Sequence, residues 1–129
     1  MKNFLNILLV DDDADDRLLL QEAISSTGHI AHYQFAENGQ DGLEKLHDFR
    51  PDIIFSDIQM PIMNGKSFLH AVRNQFNDPV PFVMMSSVGE EEHEVLSLGA
   101  TSFFNKHLHF NELCHLLRQL LHTLESRIA

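Results

Sequence analysis

Four points of the sequence combine a short apolar run with polar side chains just beyond it. These points hold Asp11–Asp13, Asp57, Ser86–Ser87 and Lys106. Carboxylate oxygens are the hard ligands that Mg²⁺ takes, and this ion usually keeps waters and phosphate oxygens in its octahedron. A carboxylate can also attack phosphorus as a nucleophile, while a metal ion and a lysine neutralise the transferring group. The residue types therefore suit the handling of a phosphoryl group.

Each group has a physical role in such a site. Asp11, Asp12 and Asp57 supply candidate carboxylate ligands for Mg²⁺, and Asp57 is also the candidate nucleophile. Lys106 is the candidate neutralising cation. The hydroxyl of Ser86 can donate a hydrogen bond to phosphoryl oxygens. These roles require the four points to lie close together in the folded chain.

The elements needed to bring them together are visible in the hydropathy pattern. Five short runs alternate with patterns of helical spacing, and three of these runs are mostly apolar while two are more mixed. The apolar runs are Asn6–Val10, Asp52–Phe55 and Phe82–Met85, and the mixed runs, which suit sheet edges, are His32–Ala36 and Ser102–Asn105. This order predicts an open α/β sheet of parallel strands with helices on both faces. Ligands bind such sheets at the carboxyl ends of the strands.

The helical segments follow the strands in turn. Helical spacing places leucines and other apolar residues on one face after each strand. Gly99 is predicted to stop the fourth helix, whose segment Glu91–Leu98 has few apolar residues to anchor it. The last helix has the clearest stripe, from Leu113 to Leu124, and Asn111 is its predicted cap.

The aspartates after the first run repel one another unless a cation, solvent or a helix end compensates them. Asp13, Asp15 and Asp16 are predicted to occupy the first turn of the first helix, where acids are favoured. Only Asp13 is expected to influence the field of a metal ion. We therefore expect Asp12→Ala to abolish Mg²⁺-dependent phosphorylation and Asp16→Ala to have little effect on it.

Composition limits the function classes. The 129 residues suit one domain, residues 1–129, and the formal charge of −10 argues against a nucleic-acid surface. No apolar run is long enough to cross a bilayer, and the single cysteine, Cys114, lies in a helical pattern typical of a buried side chain. A cytoplasmic protein is expected. The nine histidines follow no metal-binding spacing and are interpreted as scattered, solvated residues.

The segment Asp57-Ile-Gln-Met-Pro-Ile-Met-Asn-Gly65 resembles the D-x-x-M-P-x-M-[DN]-G motif of two-component response-regulator receiver domains. Ile7-Leu-Leu-Val-Asp-Asp12, Met85-Ser-Ser87 and Leu98-Gly-Ala100 before Lys106 extend the resemblance over essentially the whole chain. It implies a flavodoxin-like (βα)5 fold, doubly wound, with strand order 2-1-3-4-5.

The resemblance also implies roles for individual residues. Asp57 would be the phosphoacceptor, Asp12 would ligate Mg²⁺ directly, Asp11 would support the site, and the backbone carbonyl of Gln59 would complete the protein ligands.

A second group would read out phosphorylation. Ser86 stands at the family's switch Ser/Thr position, Ser87 at the small position after it, and Lys106 at the invariant lysine. Phe103 stands at the switch aromatic position, whose ring turns inward when the hydroxyl engages the phosphoryl group.

Two residues depart from the family pattern. His107 follows Lys106 where the family usually has proline, often after a cis peptide bond, so the cis or trans state of the Lys106–His107 bond stays open. Phe103 replaces the usual tyrosine and lacks its hydroxyl. These departures leave open a second interpretation, a receiver-like interaction module that no longer switches.

The implied function is a stand-alone response regulator without an enzymatic role beyond assisting its own phosphorylation and dephosphorylation. Its expected partners are a sensor histidine kinase or a histidine phosphotransfer protein and a downstream protein. The face made by the fourth helix, fifth strand and fifth helix would signal, and a homodimer through this face is possible. A phosphatase is less favoured because Gln59 stands where such enzymes use a second acid, and a flavin site is less favoured because the loops contain carboxylates.

Overall fold

A computed structural model describes residues 4–128, with the side chains of residues 90, 127 and 128 left aside. Five parallel strands form one sheet in the order β2-β1-β3-β4-β5. The strands are β1 (Leu5–Val10), β2 (Ala31–Ala36), β3 (Ile53–Asp57), β4 (Phe82–Ser86) and β5 (Ser102–Asn105). The predicted fold class and strand order are confirmed, and the two mixed runs do form the edges.

Helices alternate with the strands. They are α1 (Ala14–Ser25), α2 (Gly39–Lys45), α3 (Gly65–Asn74), α4 (Glu92–Ser97) and α5 (Phe110–Ile128), and a 3₁₀ turn at Gly89–Glu91 precedes α4. Within residues 4–128, no helix has the length and hydropathy needed to cross a membrane.

Side-chain caps fix where three helices begin. The carboxylate of Asp13 accepts hydrogen bonds from the N–H groups of Asp15 and Asp16, and Asn38 and Asn64 cap α2 and α3 in the same way. Gly99 follows α4 at φ +110°, a left-handed conformation that glycine adopts without strain, so the predicted stop is confirmed.

The predicted cap of the last helix is wrong. α5 begins at Phe110, which places Asn111 inside the first turn. The carboxylate of Glu112 reaches back to accept from the N–H of His109 at 3.2 Å, and the His109 carbonyl accepts from Leu113 N–H. The Glu112 contact is one half of a capping box, and the helix begins two residues earlier than it would with Asn111 as its cap.

Two apolar cores lie on the two faces of the sheet. One packs Ile7, Leu9 and Phe55 against α1 and α5, and it includes the buried Cys114, as expected for that residue. The other packs Leu8, Ile54 and Met84 against α2, α3 and α4. Alternate residues of each strand therefore serve opposite cores.

Helix α4 is weakly anchored, as its sequence predicts. Val95 is its buried residue, while Leu96 and the following Leu98 are exposed. A short helix with one buried anchor can shift or open more easily than its longer neighbours.

Candidate functional site

Strand register brings the predicted site residues to one edge of the sheet. Val10 pairs with Ser56, so Asp11 and Asp57 follow side by side. Asp57 pairs with Met85, which puts Ser86 one residue beyond it. Ser86 pairs with Asn105, and the N–H of Lys106 donates to the Ser86 carbonyl at 2.9 Å. The four points therefore meet because neighbouring strands end within one residue of each other.

Three carboxylates form an acidic cluster at this edge. One oxygen from each of Asp11, Asp12 and Asp57 lies within 4.8 Å of the others, in the only such group of potential metal ligands among the described residues. Asp11 and Asp57 are buried, and Asp12 is exposed. All the donors are hard carboxylate oxygens, a set that fits Mg²⁺.

Burial dominates the electrostatics of the two inner carboxyls. It raises the pKa of Asp11 above the ordinary value, against the lowering effect of a hydrogen bond from Lys106. Burial likewise raises the pKa of Asp57, against the charge and hydrogen bond of Lys106. Because the charged forms are disfavoured here, a bound cation would relieve both carboxylates.

Lys106 lies among three carboxylates. Its Nζ is 2.9 Å from Asp11 Oδ2, 3.2 Å from Asp57 Oδ2 and 2.7 Å from Asp16 Oδ2. Burial alone would lower the pKa of Lys106, but its contacts with Asp11 and Asp16 and the nearby charges raise it above the ordinary value. The lysine is therefore a cation at any pH at which the protein would work.

The three other aspartates at the start of α1 do not all have the roles that the sequence predicts. Asp13 caps α1 and donates its own N–H to Asp11 Oδ1 at 3.0 Å, so it links helix and site. Asp15 is exposed in the first turn. Asp16 occupies that turn too, but its side chain also contacts Lys106, which the sequence prediction did not include.

The Ser86 side chain is buried and already hydrogen-bonded. Its Oγ accepts from Val88 N–H at 3.0 Å and donates to Glu91 Oε1 at 3.3 Å. Lys66 of α3 lies 2.8 Å from Glu91 Oε2 and 2.6 Å from Glu94 Oε1. The hydroxyl is thus connected to an ion-pair network between α3 and the beginning of α4.

The other predicted site residues lie around the acidic cluster, Lys106 and Ser86. Gln59 lies two residues beyond Asp57 in the loop after β3, and Ser87 is exposed directly after β4. Phe103 is half-buried in β5 and packs against the core that contains Val95 of α4. The cis peptide that the family often has is not found in residues 4–128, so the Lys106–His107 bond is trans.

The loop after Asp57 is held close to the strand by a glycine. A Cβ on Gly65 would lie 2.2 Å from the Asp57 carbonyl oxygen, and the Gly65 N–H donates to the Ile58 carbonyl at 2.9 Å. Ile62 in the same loop has φ 67°, a strained conformation for a β-branched residue. The motif thus folds back over the end of β3 and fixes the position of Asp57.

Comparisons with known proteins agree with this geometry. The family model of the response regulator receiver domain matches residues 7–118. Protein-glutamate methylesterase/protein-glutamine glutaminase of Bacillus licheniformis is 38% identical over 106 residues, which are 79% of this chain and 29% of that protein. The protein of the same name from Treponema denticola is 37% identical over 79% of this chain and 28% of its own length. The chain therefore spans less than a third of these curated relatives.

Solved structures show the same architecture. The chemotaxis response regulator CheY4 of Vibrio cholerae is 28% identical with a TM-score of 0.77, and the match covers 90% of this chain and 98% of that one. The receiver domain of Francisella response regulator 1452 is 24% identical with a TM-score of 0.80, covering 97% and 99% of the two chains. At 24% identity, the likeness to the Francisella receiver domain concerns the fold alone.

Sequence reasoning missed two residues that contact the site and a third, Lys66, that is linked to it through Glu91. Asp16 was assigned to the helix start only, and Glu91 and Lys66 were given no part in the Ser86 environment. The position of Asp16, three residues after the cap residue Asp13, could have indicated its contact with the site, because helical side chains lean towards the amino end of the helix. No local pattern indicates the pair between Lys66 and Glu91, which joins different helices.

Proposed function

This chain belongs to the response regulator receiver domain family of two-component signalling, and we propose that it acts as a phosphoacceptor module with Asp57 as the acceptor. The observation that supports this most is the meeting of Asp57 with Asp11, Asp12 and Lys106 at one edge of the sheet. We take residues 1–129 as one such domain.

The proposed transfer forms an acyl phosphate. An oxygen of the Asp57 carboxylate bonds to the phosphorus of a phosphohistidine, the P–N bond breaks, and the released imidazole nitrogen takes up a proton. Hydrolysis later returns the carboxylate and inorganic phosphate. Mg²⁺, when bound, supplies charge neutralisation to this chemistry, and its protein ligands would be Asp11, Asp12, Asp57 and the backbone carbonyl of Gln59.

Lys106 and the residues after β4 would respond to the new charge. Lys106 would pair with a phosphoryl oxygen, as the ammonium already lies 3.2 Å from Asp57 Oδ2. Ser86 has a single hydroxyl proton, so it must leave Glu91 in order to donate to the phosphoryl group. Ser87 would contribute next to it, and Phe103 would move with the shift of Ser86.

The output of this switch is assigned to the α4-β5-α5 face. Receiver domains interact with histidine kinases or phosphotransfer proteins and with downstream effectors. For this chain we propose a sensor histidine kinase or a histidine phosphotransfer protein as the donor and a protein as the target, with a second copy of the chain as a possible partner through the same face. The free Cys114 is consistent with a cytoplasmic setting.

The activity named for the longer relatives is not proposed for this chain. The match covers 29% of the Bacillus licheniformis protein, and it falls within the receiver domain. We propose no enzymatic function here beyond the chain's own phosphorylation and dephosphorylation.

Labelling by a small phosphodonor tests the proposal. With acetyl phosphate and Mg²⁺, the wild type and the control Asp48→Asn, which changes an exposed residue after α2, should each take up one phosphoryl group. Asp57→Asn should take up none, and Asp12→Ala should lose the Mg²⁺-dependent reaction. Equal labelling of Asp57→Asn and the wild type would exclude Asp57 as acceptor.

A module that keeps the fold without switching is the second candidate. It is favoured by the Ser86 hydroxyl, which donates to Glu91 while Glu91 is held by Lys66. Amide NMR spectra with and without beryllofluoride and Mg²⁺ separate the two functions. Changes around Ser86, Phe103 and α4 support the switch, and a spectrum altered only near Asp57 supports the static module.

A further inference from the structure

Asp16 is placed towards the site by the helix that contains it. Asp16 is the third residue of α1, three positions after the cap residue Asp13, and its N–H donates to the Asp13 side chain at 3.4 Å. Side chains in a helix lean towards the amino end, which here is the edge of the sheet where Lys106 stands. Asp16 Oδ2 accordingly lies 2.7 Å from Lys106 Nζ, closer than either Asp11 or Asp57.

Asp16 differs from the carboxylates of the acidic cluster. It does not belong to the group formed by Asp11, Asp12 and Asp57 among the described residues. Its side chain is 38% exposed, whereas that of Asp57 is 9% exposed. Asp16 is therefore connected to the reacting carboxylate through the lysine, from the solvent side.

We propose that Asp16 is a positioning residue that competes with the phosphoryl group on Asp57 for the Lys106 ammonium. This inference rests on the proposed function. An ammonium group has three N–H donors, and three carboxylates surround it in this structure, with Asp57 the most distant. A phosphoryl group on Asp57 brings new anionic oxygens to the lysine, so the contact with Asp16 must weaken as the phosphorylated state forms.

Neutralising Asp16 therefore favours phosphorylation, which revises the expectation from the sequence that replacing Asp16 has little effect. In Asp16→Asn the lysine keeps Asp11 and Asp57 as partners but loses the outermost anion. An exposed ion pair of this kind corresponds to a change of about two- to fivefold in rate. Asp15→Asn is the matched control, because Asp15 precedes it in the same turn and is exposed, so the same charge is removed without the lysine contact.

The experiment measures the rate of acetyl phosphate-dependent labelling with Mg²⁺ in the wild type, Asp16→Asn and Asp15→Asn. In each reaction an Asp57 oxygen bonds to phosphorus and the bond from phosphorus to the acetate oxygen breaks, releasing acetate. The inference expects Asp16→Asn to react faster and Asp15→Asn to match the wild type. An Asp16→Asn rate equal to or below that of the wild type, or equal acceleration in both variants, overturns it.

A second readout needs neither metal nor phosphodonor. The NMR signals of the Lys106 ε-methylene group in the metal-free protein should shift in Asp16→Asn and stay in place in Asp15→Asn. Unchanged signals in Asp16→Asn overturn the inference even if the wild type is labelled normally. If the wild type is not labelled at all while these signals shift, the contact stands, and the failure belongs to the proposed function.

Discussion

Replacing Asp57 with asparagine should make the metal-free protein more stable at pH 7. The buried Asp57 carboxylate lies within 4.8 Å of the Asp11 carboxylate, and its pKa is raised chiefly by burial. Asparagine has nearly the same shape without the charge. Lys106 remains paired after the change, because Asp11 and Asp16 still contact it.

The magnitude follows from opposing effects on the Asp57 charge. At an effective dielectric constant of about 20, Lys106 at 3.2 Å contributes about 5 kcal/mol of attraction, and Asp11, which has an oxygen within 4.8 Å, contributes at least about 3 kcal/mol of repulsion. Loss of hydration opposes the charge by several kcal/mol more. Since the pKa is raised, the unfavourable effects exceed the attraction, and we expect Asp57→Asn to raise the free energy of unfolding by an amount within the usual range of single substitutions, about 0.5–3 kcal/mol.

Urea unfolding in the presence of a chelator measures this difference. Asp48→Asn is the control and should stay within about 0.5 kcal/mol of the wild type, as exposed substitutions do. Adding Mg²⁺ should narrow the gap, because a ligand at about 100 times its Kd stabilises the form that binds it by about 2.7 kcal/mol.

Lowering the pH tests the direction of the Asp57 pKa shift, through the difference in stability between the wild type and Asp57→Asn. The pKa of Asp57 is higher in the folded protein than the ordinary aspartate value of 3.8, so the folded wild type takes up a proton first as the pH falls. The stability penalty of the charged carboxylate is present above the folded pKa and disappears between that value and 3.8. The advantage of Asp57→Asn should therefore shrink in acid. A variant less stable than the wild type at pH 7, or an advantage that grows in acid, would refute the reasoning.

Three further outcomes are expected. Gly65→Ala should lower the free energy of unfolding by about 1–3 kcal/mol in urea titrations, because its Cβ would lie 2.2 Å from the Asp57 carbonyl oxygen, whereas Gly89→Ala, with open space around it, should change it little. Val95→Ala should speed hydrogen exchange in α4 more than elsewhere, because Val95 is the buried anchor of that helix; uniform acceleration would contradict this. Ser86→Ala should still be phosphorylated, but the amide NMR shifts that phosphorylation causes should no longer extend to α4.

The fold was predictable because its hydrophobic pattern is simple. Strands buried on both faces, such as Ile53–Asp57, have almost continuous apolar sequences, and the edge strands are mixed. Parallel strands then bring Asp57, Ser86 and Lys106 to one edge regardless of side-chain detail. The grouping of the site residues follows from topology alone.

Contacts of long side chains between elements were not predictable in the same way. Lys66 reaches Glu91 from another helix, and Lys106 reaches Asp16 across 90 positions of sequence. Nothing local indicates which of several nearby acids such a lysine selects. The beginning of α5 was misplaced for a similar reason, since Glu112 reaches back to a histidine that is not a preferred cap.

The most direct test of the central claim locates the phosphoryl group in the chain. After reaction with acetyl phosphate, borohydride reduces an acyl phosphate to an alcohol, and peptide mass spectrometry identifies the reduced residue. The account predicts reduction at Asp57 alone, in the presence of Mg²⁺ and not in its absence. Reduction at Asp11, Asp12 or Asp16 with Asp57 unmodified, or modification that does not depend on Mg²⁺, would contradict it.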